Sequence, residues 1–355
     1  SRTDCQPAAF WLFRGIFSGP FRSLSVAEAF CLYAYTPVPS YSGIRLDETS
    51  WVNPGSASHK GIYVLSLRYP VDMPTRKPYG FYMRQTNYPG VEHGPWTPLI
   101  VAHRGASRDA PENTLPAFRL AWRQGADAIE CDLHLSSDGH IVCIHDADSF
   151  RVSGRKLAVR DATLEELRGL DVGAYRGEEF KGVGIPTLTE VLSTVPDGKI
   201  LYMEIKCGVE IVTGLLEQIY VSGLKSEQIV FIGFREEVIQ ALKGRAPRIK
   251  SFLLLSLGQD RQGNRMPSID SILATLKRIQ ADGFSSDAIR ADEALVRAVR
   301  QAGFEYHVWT VDDPAIARRF AHWGVQSITT NVPAEIKAWL GGEDPSGLKP
   351  PMERK

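Results

Sequence analysis

The sequence predicts an α/β fold: an eight-stranded parallel barrel wrapped in helices, with a small insertion after the second strand and a separate region in front. Three observations carry this expectation. Eight short apolar, β-branched runs alternate with helical segments over residues 99–341, the span usual for a (β/α)8 barrel. The interval between the second run and Ile200 is too long for a simple connection. The composition changes near Pro98.

The runs are Leu99–Ala102, Ala128–Leu133, Ile200–Ile205, Ile229–Ile232, Ser251–Leu255, Gly283–Ser285, Tyr306–Thr310 and Ser327–Thr329. Helical spacing marks Thr114–Gln124, Glu210–Ser222, Ser268–Gln280, Asp292–Ala302, Pro314–Trp323 and Ala334–Leu340. A doubly wound open sheet shares this alternation and is the rival. The count of eight, and the lack of a Gly-x-Gly-x-x-Gly turn after the first run, favour a closed TIM barrel. The long interval, about 137–195, holds a strand-like Ile141–Ile144 and helical stretches at Thr163–Leu167 and Thr189–Val195. It reads as a capping insertion at the carboxyl end of strand two, where active sites of such barrels lie.

Residues 1–98 form the region in front, and 342–355 a short tail. The first 98 residues hold 17 of the 34 aromatics and 11 of the 22 prolines, but only six of the 41 acidic residues. With nine basic residues they carry +3, leaving −3 for the remainder. Gly61–Tyr69 and Tyr79–Arg84 are strand candidates interrupted by prolines, and Phe10–Phe21 is an aromatic stretch fit to pack on the barrel or face a partner. The chain opens Ser1-Arg2, which leaves a processed, trimmed or partial chain open, and with it a signal peptide already removed. Both a cytoplasmic and an exported soluble protein fit.

At 355 residues, 43% hydrophobic and 23% charged, whole-chain disorder is excluded. The net charge of zero speaks against nucleic-acid binding through a general positive field. No apolar run approaches the roughly 20 residues of a transmembrane helix. Five cysteines without close metal-type spacing exclude a disulfide framework and a zinc ribbon, while Cys5 and Cys31 remain able to pair if the protein is exported.

The chemistry is expected where apolar strands end in polar residues. Strand one runs into His103-Arg104-Gly105: an imidazole suited to proton transfer beside a guanidinium suited to phosphate, or, more plainly, a capping His and a solvated Arg. Strand two ends Glu130-Cys131-Asp132, so both carboxylates share one face and Cys131 takes the other. Glu204 in the next barrel strand adds a third acid, with Lys206 two positions on. Three converging carboxylates make an oxygen site for Mg²⁺ or Ca²⁺; a salt-bridge cluster with Lys206 and Arg104 is the alternative. His145-Asp146 follows Ile141–Ile144 and returns a second imidazole to the barrel mouth, or serves a turn. His134 and His140 flank the insertion, His307 points inward or into the helical layer, and Cys131, Cys143 and Cys207 read as small buried residues.

Several of these residues fall within motifs that resemble the glycerophosphodiester phosphodiesterase family. These are His103-Arg104-Gly105-Ala106-Ser107, Ala110-Pro111-Glu112-Asn113-Thr114, Ala126–Asp132, Ser137-Asp138-Gly139 and Ile144-His145-Asp146. Ile185–Leu188, Met203–Lys206, Val308–Asp312 and Ile328–Asn331 follow in the family's order. The resemblance covers about residues 98–340. It implies a metal-dependent phosphodiester hydrolase releasing sn-glycerol 3-phosphate and an alcohol. By that resemblance Glu130, Asp132 and Glu204 hold the cation, and His103 and His145 form the acid/base pair. Arg104 and Lys206 then serve the phosphate, and Trp309 walls the alcohol or glycerol side of the pocket or fills the core. Glu112 and Asn113 are expected to do turn and helix-start chemistry around Thr114. The sequence departs from the family after Asp146, where Ala147–Gly154 replaces a Leu-Asp-Arg-Thr-like stretch. A lysophospholipase D or sphingomyelinase D-like activity on lipids is the second expectation, with residues 1–98 as a membrane-surface or partner-binding region.

Overall fold

The computed structural model describes residues 97–342. The expected strands at 61–69 and 79–84, the 10–21 stretch, the Cys5–Cys31 pairing and the tail beyond residue 342 lie outside them.

Strand β1 (Leu99–Ala102) is followed by α1 (Leu115–Arg123), β2 (Ala128–Leu135) and β3 (Ile141–Cys143). The insertion continues through α2 (Phe150–Ser153), α3 (Leu164–Arg168) and α4 (Leu188–Leu192). Then come β4 (Ile200–Ile205), α5 (Val212–Ser222), β5 (Ile229–Gly233), α6 (Glu236–Arg245) and β6 (Lys250–Leu255). A small hairpin, β7 (Gly258–Gln259) and β8 (Arg265–Met266), precedes α7 (Ile269–Arg278). The chain finishes with β9 (Gly283–Asp287), α8 (Glu293–Gln301), β10 (Glu305–Trp309), α9 (Pro314–Trp323), β11 (Ser327–Thr330) and α10 (Pro333–Leu340).

Strands β1, β2, β4, β5, β6, β9, β10 and β11 pair in parallel, and β1 pairs with both β2 and β11. That double pairing closes the ring and rules out the open-sheet rival. All eight expected strands are present. β3 runs antiparallel to β2, with Leu133 opposite Cys143.

Alternation along each strand sorts the interior from the helical layer. Leu99, Val101, Ala128, Ile200, Tyr202, Val230, Ile232, Phe252 and Leu254 pack together inside the ring. The outward residues, such as Ile129, Cys131, Leu133, Leu201 and Met203, pack with residues of α1 and α5, including Phe118 and Leu215. Helix starts are fixed by side-chain caps from Thr114, Ser268, Asp292 and Asp313. The insertion has its own apolar cluster, including Val142, Ile144, Val152, Val159, Leu167 and Ile185. Capping boxes at Thr163–Glu166 and Thr187–Glu190 start its two longer helices.

Helix α6 and the β7–β8 hairpin were not legible in the sequence. The buried stripe of α6 is Val238, Ile239, Leu242 and Lys243, so a charge interrupts the helical period. Lys243 is accommodated by an ion pair with Asp282 at 2.8 Å and a bond to the Pro247 carbonyl at 2.9 Å.

Candidate functional site

The carboxyl ends of β1, β2 and β4 converge on one side of the barrel mouth. The chain leaves β1 through His103, whose amide continues the ladder to the Thr330 carbonyl at 2.8 Å. Arg104 and Gly105 then turn in the left-handed region, φ 56° and 81°. A side chain at Gly105 would strike the backbone of Ala117 in α1 at 2.6 Å, so this turn requires glycine. Arg104, left-handed without that freedom, donates its amide to Glu130 Oε2 at 2.9 Å.

Glu130 and Asp132 both face inward, as their spacing predicts, and register sets Asp132 directly across from Glu204. Each of the three acids offers an oxygen within 4.8 Å of the others'. Burial first, then the charges of Asp132 and Glu204, pushes the Glu130 carboxyl well above the ordinary carboxylate range. Burial and Asp132 likewise raise Glu204. Burial also opposes ionisation of Asp132, but Arg104 and Lys206 overcome it and hold this carboxyl low.

The alternative expected from the sequence, a salt-bridge cluster, is also present in part. Lys206 Nζ lies 2.7 Å from Glu204 and 3.5 Å from Asp132, and Arg104 Nε lies 3.3 Å from Asp132. These cations do not saturate the acids. Glu130 Oε1 and Asp132 Oδ1 are buried without a hydrogen-bond partner among the described residues. An all-oxygen donor set with buried, unsatisfied carboxylate oxygens fits a hard divalent cation.

Three imidazoles, of His103, His145 and His307, line the same cavity, which has a volume of about 230 Å³. Asn331 Nδ2 donates to Asp312 at 2.6 Å, so its Oδ1 is the acceptor facing His103 Nδ1 at 2.8 Å. His103 Nδ1 therefore carries the proton and Nε2 keeps the lone pair. Burial, then the Arg104 charge, lowers the His103 pKa and favours the neutral ring. His145 Nδ1 meets Asp146 Oδ1 at 2.6 Å, so this Nδ1 carries a proton as well and Nε2 is the nitrogen left to react.

The far wall is apolar. Trp309 meets Phe234 edge-on at 5.9 Å between ring centroids, and Ile232, Phe252 and Leu254 continue the lining. Trp309 thus faces the cavity. His307 points inward as well, stacked on Phe252 at 4.0 Å with Nδ1 2.7 Å from Ser327 Oγ. His134, half-buried, meets the His145 carbonyl at 3.2 Å, and His140 is exposed.

Glu112 and Asn113 do more than turn and helix-start chemistry, and Asp146, Asp312, Asn331 and Arg151 also bond to residues of the site. Asn113, left-handed at φ 56°, donates Nδ2 to Asp132 Oδ2 at 2.7 Å and accepts the Asp132 amide at 3.1 Å. Glu112 is bound by Arg104 and Arg151. Burial would raise the Glu112 carboxyl, but these two guanidinium groups lower it to about 2. The motifs containing most of these residues were visible; their partners, distant in sequence, were not.

A closed parallel barrel, with an acidic cluster and two imidazoles at its carboxyl-end mouth, defines the frame of a hydrolytic enzyme. Comparison with known proteins gives the family. A sequence model of the glycerophosphoryl diester phosphodiesterase family matches residues 103–335. A glycerophosphodiester phosphodiesterase of Caldanaerobacter subterraneus subsp. tengcongensis is 33% identical over 243 residues, 67% of this chain and 96% of that protein. Among solved structures, an Oleispira antarctica phosphodiesterase in complex with the product sn-glycerol-3-phosphate matches with TM-score 0.64 and 26% identity. That match covers 69% of this chain and 97% of the other. The Agrobacterium tumefaciens glycerophosphodiester phosphodiesterase matches with TM-score 0.58 at 28% identity, over 68% and 100% of the two chains. The chain belongs to the glycerophosphoryl diester phosphodiesterase family, a family of enzymes. No helix of the described residues is long and apolar enough to cross a membrane.

Proposed function

We propose that the protein hydrolyses glycerophosphodiesters to sn-glycerol 3-phosphate and an alcohol, with His103 and His145 as base and acid and a divalent cation at the acidic cluster. The observation that carries this is the pair of Nδ1 contacts. Both histidines are held through Nδ1, one by an amide oxygen and one by a carboxylate, leaving Nε2 of each for the reaction. The solved relative bound to sn-glycerol-3-phosphate supports the product class.

Glu130, Asp132 and Glu204 would hold Mg²⁺ or Ca²⁺, which supplies positive charge for the phosphoryl oxygens. Arg104 and Lys206 add fixed charge on the phosphate side. His103, kept neutral by burial, takes the proton from the attacking oxygen, either a water or the glycerol 2-hydroxyl. Attack by the hydroxyl gives a cyclic phosphate, which water then opens to sn-glycerol 3-phosphate. His145, acting with a second proton on Nε2 while Asp146 holds its Nδ1–H, gives that Nε2 proton to the departing alkoxide oxygen as the P–O bond breaks. The apolar wall around Trp309 and Phe234 excludes water from the organic part of the substrate. The unit that does this is the barrel over residues 99–341 with its insertion.

Steady-state hydrolysis of glycerophosphocholine by His103→Ala and His145→Ala tests the assignment. Each should lose about 100-fold or more in kcat, the range of general acid–base contributions. Turnover within about threefold of the parent in either variant refutes the role of that histidine.

A further inference from the structure

Arg151 lies in α2, in the segment where the sequence departs from the family pattern, and its side chain is 45% exposed. An exposed ion pair commonly contributes little. The geometry here is different in kind. Arg151 Nε donates to Asp146 Oδ2 at 2.6 Å, while Nη1 and Nη2 fork onto the two oxygens of Glu112 at 2.7 and 2.8 Å. Each of those carboxylates has a second commitment at the cavity. Asp146 Oδ1 holds His145 Nδ1 at 2.6 Å, and Glu112 Oε1 accepts Arg104 Nη1 at 2.8 Å.

The result is one continuous chain, His145–Asp146–Arg151–Glu112–Arg104, with a single guanidinium at its centre. Its two arms belong to different parts of the fold. Glu112 and Arg104 follow β1 of the barrel, whereas Asp146 and Arg151 belong to the insertion. Among the described residues, Arg151 is the one hydrogen-bond partner of Asp146 Oδ2, so without it the carboxylate is free to turn about its remaining bond to His145.

We propose that Arg151 is a positioning residue: it locks Asp146 so that His145 keeps one ring orientation, and it ties that histidine to Arg104. A lysine cannot reproduce this, because one ammonium does not fork onto both oxygens of Glu112 while reaching Asp146. The inference rests on the acid role proposed above for His145.

The test is a double-mutant cycle in glycerophosphocholine hydrolysis with Arg151→Ala, His145→Ala and both together, each checked for folding by thermal unfolding. Arg151→Ala should lower kcat about 10- to 100-fold, a positioning share of the acid's contribution. KM should stay within about threefold, because Arg104 retains its contact with Asp132. Added guanidinium ion at non-denaturing concentration should restore part of kcat. In the His145→Ala background, the second change should cost less than about twofold, since there is no ring left to position.

A loss of kcat within about twofold for Arg151→Ala overturns the proposal. So does an equal loss in both backgrounds, which would make the arginine merely structural. Should Arg151→Ala not fold, Arg151→Lys carries the same cycle, with an intermediate loss expected and an unchanged kcat contradicting it. His145→Ala with parental activity would overturn the acid assignment itself, and this inference with it. A shared loss of the two roles is thus told apart from failure of the arginine alone.

Discussion

Replacing Glu130 by glutamine separates a cation site from a structural salt-bridge cluster. The three acids bring oxygens within 4.8 Å of one another, where two like charges repel by about 3.5 kcal/mol at an effective dielectric of 20. Arg104 and Lys206 offset part of this, and the remainder appears as the raised Glu130 carboxyl, burial being the larger cause. Without a cation the favoured form of Glu130 is therefore shifted towards the neutral acid, which glutamine copies in shape. Its oxygen also retains the bond from the Arg104 amide, 2.9 Å in the parent. Metal-free Glu130→Gln should consequently be as stable as the metal-free parent to within about 1 kcal/mol, or more stable. With a cation present the order reverses. Ligand at 100 times its Kd stabilises the parent by about 2.7 kcal/mol, or about 5–10 °C in Tm for a domain of this size. The variant, lacking one anionic ligand, should shift by less than about 2 °C. Scanning calorimetry of chelator-stripped protein, with and without Mg²⁺ or Ca²⁺, reads both effects. A variant that unfolds well below the metal-free parent, yet shifts with cation as the parent does, would refute the reasoning.

Glu112 supplies a pH dependence of known sign. Its carboxyl is lowered from 4.5 to about 2 in the folded chain, so its stabilisation is fully present above about pH 4.5 and fades as pH falls towards 2. The shift corresponds to about 3 kcal/mol, of which about 2 should be lost by pH 3. Urea unfolding of the parent and Glu112→Gln should show a stability gap that narrows on acidification; a gap that widens contradicts this. Gly105→Ala should destabilise by about 2–4 kcal/mol, because the new methyl meets the Ala117 backbone at a left-handed position. A change below about 0.5 kcal/mol in denaturant unfolding would show that the turn relaxes freely. A substrate analogue lacking the glycerol 2-hydroxyl separates the two nucleophiles: unchanged kcat assigns attack to water, and loss of turnover assigns it to that hydroxyl.

The parts of the site visible in the sequence are those set by local period. Strand parity alone put Glu130 and Asp132 on one face and Cys131 on the other, and the fold places them so. His103-Arg104 and His145-Asp146 were visible as polar pairs ending apolar runs. What stayed hidden depends on contacts across the barrel or on backbone angles. Asn113 gains its hold on Asp132 from a left-handed backbone, which Asn tolerates but does not dictate. Asn331 and Asp312 set the His103 tautomer from the loops that follow β11 and β10, more than 200 residues away. The period of helix α6 is broken in the sequence because Lys243 occupies a buried position in its stripe.

The most direct test is release of sn-glycerol 3-phosphate from glycerophosphocholine by chelator-stripped protein, titrated with Mg²⁺ and with Ca²⁺. Turnover should be absent from the stripped protein, return with one of the two cations, and fail to return in Glu204→Ala. Full turnover in the rigorously metal-free protein would contradict the account at its centre.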